Sequence, residues 1–291
     1  MSRPSERMVR LPAGDFRVLE WPGEDPAVVF LHGLSGIADV WRPTVAAMRG
    51  HRRCVALDQR GHGQSPQPLS GYAVADYARD AAALIREIGA GPVHLAGHSM
   101  GARVALVLAA NQPEILRSVA IVDIGPEAWK ANITGSIHAF DRLPARFASR
   151  QEAAAFMGVR PPTTPERRPF VPESSNRAAQ SEEIFFARLR EGAGGSYEWR
   201  ASIDALKQSV RLQRSRSYWS EWRAISLPAI LIRGAVSTEL RPPIADRMRR
   251  ENPAVQYIEY EGIGHNIPLL APGRLAATLE DFWQTAHTDS P

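Results

Sequence analysis

The chain has 291 residues, of which 44% are hydrophobic and 23% are charged, and its formal net charge at pH 7 is +4. This composition is that of an ordinary globular protein and excludes a disordered, collagen-like or low-complexity chain. No window of the sequence approaches the roughly 18 consecutive apolar residues that a membrane-spanning helix needs. The first ten residues are polar and contain no apolar segment typical of a secretory signal. We therefore expect a cytoplasmic protein without a membrane span.

The distribution of the basic residues argues against a nucleic-acid partner, and the single cysteine argues against a disulfide. Only Lys130 and Lys207 are lysines, and the arginines are spread along the chain among 31 acidic residues. The basic clusters are short, which is typical of a solvated surface rather than a nucleic-acid-binding stripe. Cys54 is the only cysteine, so a disulfide within the chain is impossible. We expect Cys54 to be a buried small side chain rather than a reactive thiol.

Short apolar runs alternate along the chain with segments of helical periodicity. The predicted strands are 15–20 (in a hairpin that begins near Met8), 27–31, 53–57, 93–97, 118–122, 229–232 and 255–260. The predicted helices are 40–48, 72–88, 100–110, 242–250 and 274–286. Strands that alternate with helices predict an α/β fold with a mostly parallel sheet flanked by helices.

The alternation stops between residues 125 and 225 approximately. This segment contains helical fragments, a proline-rich stretch from Pro161 to Pro172 and a glycine-rich turn at 192–195. A segment inserted at the carboxyl edge of a parallel sheet lies where ligands bind. We predict a core domain made of residues 1–125 and 226–291, and a helical cap or lid made of residues 126–225. The cap aromatics predict an apolar pocket: Phe140, Phe147, Phe156, Trp199, Trp219 and Trp222.

The pentapeptide Gly97-His98-Ser99-Met100-Gly101 is the most specific motif in the chain. It matches G-x-S-x-G and lies between a predicted strand and a predicted helix. A serine on such a sharp turn is exposed above the sheet at a helix N-terminus, and its crowded neighbours must be glycine. We therefore predict that Ser99 is a nucleophile, whereas a chance match would lack this strand–turn–helix context.

A serine nucleophile requires a base. His265 follows the last predicted strand in the segment Glu261-Gly-Ile-Gly-His-Asn266 and should lie at the same sheet edge as Ser99. We predict that His265 is that base. His98 should point sideways from the turn, as a packing or hydrogen-bonding residue. The histidines have no spacing typical of a metal site, so we expect neither a metal nor a cofactor.

Two glycine-containing loops follow the predicted strands 27–31 and 53–57. The loop His32-Gly-Leu34-Ser-Gly36 should supply one backbone N–H of an oxyanion hole, most simply from Leu34, and Met100 should supply the other. The second loop, 58–65, contains Asp58 and Arg60, which we interpret as structural residues that fix loops by charged hydrogen bonds. This loop lacks the glycine and lysine spacing of a nucleotide-binding motif.

Together, the segments HGLSG, DQRGHGQS, GHSMG and GIGH strongly resemble the α/β-hydrolase family over nearly the whole chain. The resemblance is specific for the fold but only loosely for the reaction, because esterases, lactonases, thioesterases and C–C hydrolases share it. Ser99 at the turn argues against a dehalogenase or an epoxide hydrolase, which need a carboxylate there. The resemblance implies a serine, histidine and acid triad.

The acid of this triad departs from the usual family pattern. The position at which the family usually has aspartate is Ser237, and Glu239 lies two residues further on. Asp123, at the end of the strand that follows the helix after Ser99, is the preferred candidate, and Glu239 is the alternative. The pairing of the Asp123 segment with the Ser237 segment, together with Tyr197-Glu-Trp199-Arg200 in the cap, resembles a branch of small-acyl esterases and thioesterases.

The predicted function is hydrolysis of a carboxylic ester, thioester or lactone of a small to medium, largely apolar molecule through an acyl-enzyme at Ser99. One alternative is C–C bond hydrolysis or perhydrolysis by the same residues. Another is a non-catalytic receptor that binds a small molecule in the capped pocket. The sequence leaves the oligomeric state open and gives no sign of a nucleic-acid partner.

Overall fold

The computed structural model describes residues 3–127, 133–158 and 182–288. Its strands are β1 Ser5–Leu11, β2 Gly14–Trp21, β3 Glu24–Leu31, β4 Arg52–Leu57, β5 Val93–His98, β6 Leu116–Val122, β7 Arg146–Phe147, β8 Leu189–Glu191, β9 Tyr197–Trp199, β10 Ala229–Gly234 and β11 Gln256–Tyr260. Its α-helices are α1 Arg42–Ala47, α2 Val74–Glu87, α3 Met100–Asn111, α4 Ile133–Asp141, α5 Arg150–Gly158, α6 Glu182–Ala187, α7 Ile203–Arg214, α8 Trp219–Ala224, α9 Pro242–Glu251, α10 Ile267–Leu270 and α11 Pro272–Thr288.

Eight strands form the central sheet in the order β1-β2-β4-β3-β5-β6-β10-β11. β2 pairs antiparallel with both of its neighbours, and the other pairings are parallel. Parallel strands place their carboxyl ends at one edge, so the loops after β3, β5, β6 and β11 meet there. This arrangement confirms the predicted α/β fold.

The sheet is buried on both faces, and its strands therefore consist of continuous apolar runs. On β3, Val29 and Leu31 pack into the cluster under α2 and α3, whereas Val28 and Phe30 pack into the cluster under α1 and α11. The sheet therefore separates two cores. Burial of Cys54 in the second core raises the pKa of its thiol to about 12, as expected for an inert thiol.

The predicted strands and helices of the core agree with the structure apart from their ends. The predicted helix at 40–48 is a 3-10 turn, Ala38–Trp41, followed by α1. The short helix α10, directly after His265, was not predicted, because four residues are too few to show helical periodicity. The apolar residues at helical spacing in α2 and at its C-terminal end are all buried: Val74, Tyr77, Ala81, Leu84, Ile85 and Ile88.

The segment between β6 and β10 contains α4 to α8 and a small antiparallel sheet, β7-β9-β8. The three strands of this sheet were not predicted, since each has only two or three residues, too few to show alternation. The stretch from Pro161 to Pro172 lies outside the described residues. Among the residues that are described, no helix has both the length and the apolar character needed to cross a membrane.

Candidate active site

Ser99 lies on a sharp turn between β5 and α3. Its backbone has φ 54° and ψ −115°, a conformation that L-residues rarely adopt. A Cβ at Gly97 would lie 2.2 Å from the carbonyl oxygen of Gly101, and one at Gly101 would lie 2.3 Å from that of Leu31. The motif therefore needs its two glycines because the start of α3 packs directly against β3 and β5.

His265 lies in the loop between β11 and α10, at the same sheet edge as Ser99. Its Nε2 is 2.9 Å from Ser99 Oγ, and its Nδ1 is 2.7 Å from Asp123 Oδ2. A carboxylate only accepts hydrogen bonds, so Nδ1 carries the proton that it donates to Asp123. Nε2 is then the acceptor for the Ser99 hydroxyl.

Asp123 directly follows β6 and has φ 54°. Its side chain is completely buried. Besides His265, its carboxylate accepts a hydrogen bond from the backbone N–H of Gly234 at 2.8 Å and one from the Ser237 hydroxyl. Three donors from two segments, the end of β10 with its following loop and the loop after β11, therefore satisfy and orient this buried charge.

The two candidate acids lie in different environments. The Glu239 carboxylate is paired with Arg214 at 3.4 Å, whereas Asp123 is hydrogen-bonded to His265. Ser237, which occupies the usual family position of the acid, donates to Asp123. The structure therefore brings Asp123, and not Glu239, together with Ser99 and His265.

The loop after β3 forms a tight turn beside Ser99. Gly36 donates its N–H to the carbonyl oxygen of Gly33 at 2.9 Å, and Ser35 within this turn has φ 59°. A Cβ at Gly33 would lie 3.1 Å from Ser99 Cβ. This close approach places Gly33, the residue before Leu34, beside Ser99. Met100 is the first residue of α3, where a backbone N–H has no partner within its own helix.

Two histidines that the sequence analysis did not single out hold this turn. His62 Nε2 accepts the N–H of Ser35 at 3.1 Å, and His32 Nε2 accepts the N–H of Gln59 at 3.0 Å. In each ring Nδ1 donates to a backbone carbonyl oxygen, so both side chains are neutral. Burial lowers the pKa of His62 to about 4 and that of His32 well below its ordinary value. The sequence feature that could have indicated these two residues is that His32 lies in the motif HGLSG and His62 in the motif DQRGHGQS.

His98 connects the turn at Ser99 to the loop of His265. Its Nε2 donates to the carbonyl oxygen of His265 at 2.8 Å, and the two rings lie 4.8 Å apart. Burial, together with the nearby His265, lowers the pKa of His98 to about 3. His98 is thus a buried hydrogen-bonding residue, in agreement with the prediction.

The loop 58–65 is held by buried charges. Asp58 accepts the N–H groups of Ala38 at 2.7 Å and Gln64 at 3.1 Å, and it pairs with Arg17 at 3.3 Å. Arg60 donates two hydrogen bonds to Asp80, at 2.5 and 2.6 Å. Both residues therefore fix loops by charged hydrogen bonds, as the sequence predicts.

A cavity of about 70 Å³ lies beside the Ser99 turn. It is bounded by Gly33 to Gly36, by His98 and by Asn266, the residue after His265. Arg188, which lies between α6 and β8 in the inserted segment, also lines it. The cavity is thus bounded by the loop after β3, the chain neighbours of Ser99 and His265, and one arginine of the predicted cap.

The cap aromatics belong mainly to packed clusters. Trp222 is buried in the core and donates its indole N–H to the carbonyl oxygen of Met248 at 2.8 Å. Phe147, Phe156 and Trp199 pack around the small sheet.

Among the described residues, no group of three or more His, Cys, Asp or Glu side chains is placed to hold a metal ion.

Comparisons with known proteins agree with the fold. A family model described as alpha/beta hydrolase fold matches residues 26–272. The 2-(acetamidomethylene)succinate hydrolase of Mesorhizobium japonicum is 28% identical, over 89% of this chain and 88% of that protein. A crystal structure of E-2-(acetamidomethylene)succinate hydrolase superposes with a TM-score of 0.83 at 26% identity, over 97% of this chain and 99% of that one. An esterase of Mycobacterium tuberculosis is 26% identical, over 80% of this chain and 74% of that protein.

Proposed function

Because the chain belongs to the alpha/beta hydrolase fold family, we propose that it is a serine hydrolase of carboxylic esters, thioesters or lactones. The observation that carries this proposal is the continuous chain of hydrogen bonds from Ser99 Oγ through His265 to Asp123, with distances of 2.9 and 2.7 Å. This is the arrangement that a hydroxyl needs in order to lose its proton while it attacks a carbonyl carbon. The mycobacterial relative named as an esterase supports the same bond type.

In the proposed mechanism Ser99 Oγ attacks the substrate carbonyl carbon and His265 Nε2 takes the hydroxyl proton. Asp123 stabilises the resulting imidazolium. His265 then donates the proton to the leaving alcohol or thiol as the carbonyl–leaving-group bond breaks, which leaves an acyl group on Ser99. Water attacks the acyl-enzyme while His265 takes its proton, and His265 then returns the proton to Ser99 Oγ as the bond between Ser99 and the acyl group breaks and the acid product leaves.

The backbone N–H groups of Leu34 and Met100 are the proposed donors to the developing oxyanion. Leu34 lies in the turn that approaches Ser99 most closely, and Met100 starts α3, whose N-terminus favours negative charge. His62 supports the first donor by holding the N–H of Ser35 in that turn.

Residues 126–225 are proposed to act as the cap of this site. The segment is inserted between β6 and β10, whose carboxyl ends carry Asp123 and the loop of Ser237. Arg188 of this segment reaches the cavity beside Ser99. A small to medium, largely apolar substrate is proposed for the space between the cap and the sheet edge.

The test is hydrolysis of 4-nitrophenyl esters of increasing acyl length, with wild type beside Ser99→Ala. We expect turnover to fall by several orders of magnitude in Ser99→Ala, because loss of the nucleophile removes the acyl-enzyme route. Activity that survives the substitution would contradict the assignment of Ser99. Fluorophosphonate labelling of wild type but not Ser99→Ala would exclude a non-catalytic receptor.

A second candidate reaction is hydrolysis of an amide. It is favoured by the relative from Mesorhizobium japonicum, whose named substrate is an acetamido compound. The same three residues perform either reaction, with an amine as the leaving group. Paired ester and amide substrates with identical acyl groups, compared by kcat/KM, distinguish the two.

A further inference from the structure

We propose that Arg188 forms a carboxylate-binding subsite beside the catalytic serine, so that the substrate is an ester, thioester or amide that also carries a free carboxylate. This inference deepens the proposed function and rests on it for the type of bond that is hydrolysed. The carboxylate of the substrate is inferred from Arg188. The carboxylate would occupy the cavity that Arg188 shares with Leu34, His98 and Asn266.

Arg188 is held in place by its backbone while its side chain faces this cavity. Its N–H donates to the carbonyl oxygen of Phe185 at 3.1 Å, and its carbonyl oxygen accepts the N–H of Arg200 at 2.8 Å. The side chain is partly buried, and its Nε is completely buried without a hydrogen-bond partner among the described residues. A buried guanidinium N–H without an acceptor is costly, and a carboxylate would satisfy it.

No acidic side chain of the described residues forms an ion pair with Arg188. The acid whose charge it feels is Asp39, which is already hydrogen-bonded to Arg17 and Arg42, both at 2.7 Å. Burial lowers the pKa of Arg188 to about 10, so the guanidinium remains charged at neutral pH. Within residues 3–127, 133–158 and 182–288, no acidic side chain is paired with this cation to balance its charge.

The other polar groups around the cavity cannot supply the missing charge. His98 lines the cavity, and the charge of Arg188 also lowers the pKa of nearby His32. Both imidazoles are buried and neutral, and Asn266 is uncharged. An anionic ligand is therefore the group that completes the site.

The cavity is next to the reaction centre. Gly33, which bounds it, comes so close to Ser99 that an added Cβ would lie 3.1 Å from Ser99 Cβ. About 70 Å³ is room for a carboxylate with a short chain. A carboxylate there would orient a scissile carbonyl of the same molecule toward Ser99 and the Leu34 N–H.

The first experiment compares isosteric anionic and neutral substrates. Monomethyl glutarate is paired with the methyl ester of glutaramic acid, and O-acetylglycolate with O-acetylglycolamide, so that the carboxylate is on the acyl side in one pair and on the alcohol side in the other. We expect kcat/KM for one anionic member to exceed that of its neutral partner by about 10- to 100-fold. Arg188→Met should abolish this preference, and Arg188→Lys should keep part of it.

Arg190→Met is the matched control. Arg190 lies two residues away on β8, is exposed and pairs with Glu198 at 2.8 Å. The Arg190→Met substitution should leave the preference for the anionic substrate unchanged. Equal preference in wild type and Arg188→Met, or no preference in wild type for either pair, would overturn the proposal.

A binding measurement separates failure of the subsite from failure of the proposed reaction. Calorimetric titration of the same four compounds into Ser99→Ala reports the carboxylate preference without turnover. The subsite is supported if Ser99→Ala binds an anionic compound more tightly than its neutral partner and the double variant Ser99→Ala, Arg188→Met does not. This result would support the subsite even if Ser99 proves not to be the nucleophile. Equal binding of anion and amide by Ser99→Ala would overturn the subsite, whatever the esterase assay shows.

Discussion

At the scale of single residues, the Asp123 carboxylate, at the end of β6, is hydrogen-bonded to His265. It also accepts a hydrogen bond from Ser237 in the loop after β10, the residue at the position where the resemblance leads us to expect the acid. The two loops are neighbours because β6 and β10 pair in the sheet. An acid on either strand can therefore reach the same imidazole.

The two candidate acids make a direct test. Asp123→Asn should lower kcat by about 1,000- to 10,000-fold, because an amide neither stabilises the imidazolium nor fixes its tautomer. Glu239→Gln should leave kcat within about twofold, since Glu239 pairs with Arg214. Steady-state kinetics on one nitrophenyl ester measures both. A large loss in Glu239→Gln with a small one in Asp123→Asn would reverse the assignment.

At the scale of elements, the site depends on how closely the start of α3 packs against the sheet. Gly101 donates its N–H to the carbonyl oxygen of His32 at 3.1 Å, directly below the loop that carries Leu34. A side chain at this point would separate α3 from β3. The turn at Ser99 and the loop that carries Leu34 would then move apart.

Gly101 and Gly273 allow a matched comparison, because each is the second residue of its helix. A Cβ at Gly101 would meet backbone at 2.3 Å, whereas one at Gly273 would meet no atom within 4 Å. We expect Gly101→Ala to lower the free energy of unfolding by about 3 kcal/mol or more. Gly273→Ala should be neutral or stabilising by up to about 1 kcal/mol. Urea denaturation measures both, and equal effects would contradict this account.

At the scale of the whole molecule, neutral buried histidines join the loops that form the site. His62 connects the loop after β4 to the turn that contains Leu34, and His98 connects the turn at Ser99 to the loop of His265. Protonation of His62 would remove the acceptor of the Ser35 N–H, and protonation of His98 would charge a buried ring. The site is therefore coupled to the pH dependence of folding.

The sign of that dependence follows from the depressed pKa values of the folded protein. An unfolded histidine titrates near 6.5, whereas folding lowers the pKa of His62 to about 4. Its contribution to stability is complete above pH 6.5 and is lost as the pH falls toward 4. Between pH 6.5 and pH 4, each such histidine should lower the free energy of unfolding by about 1.4 kcal/mol for each unit by which the pH falls.

Urea unfolding at pH 7.5, 6.0 and 5.0 measures this loss. His62→Gln should reduce the slope of the free energy of unfolding against pH, and His51→Gln, at an exposed position, should not. An unchanged slope in His62→Gln would show that His62 does not remain neutral in the folded protein.

The sequence by itself determined the α/β architecture, the nucleophile turn and the candidates Ser99, His265 and Asp123. These features are local, since apolar runs, helical periodicity and the glycines around Ser99 act within a few residues. Which candidate acid lies against His265, which N–H groups His32 and His62 accept, and which residues surround Arg188 required the tertiary structure. Each depends on a contact between segments far apart in the chain, such as the 142 residues that separate Asp123 from His265. Sequence spacing carries no information about such distances, whereas the order of the strands in the sheet fixes them.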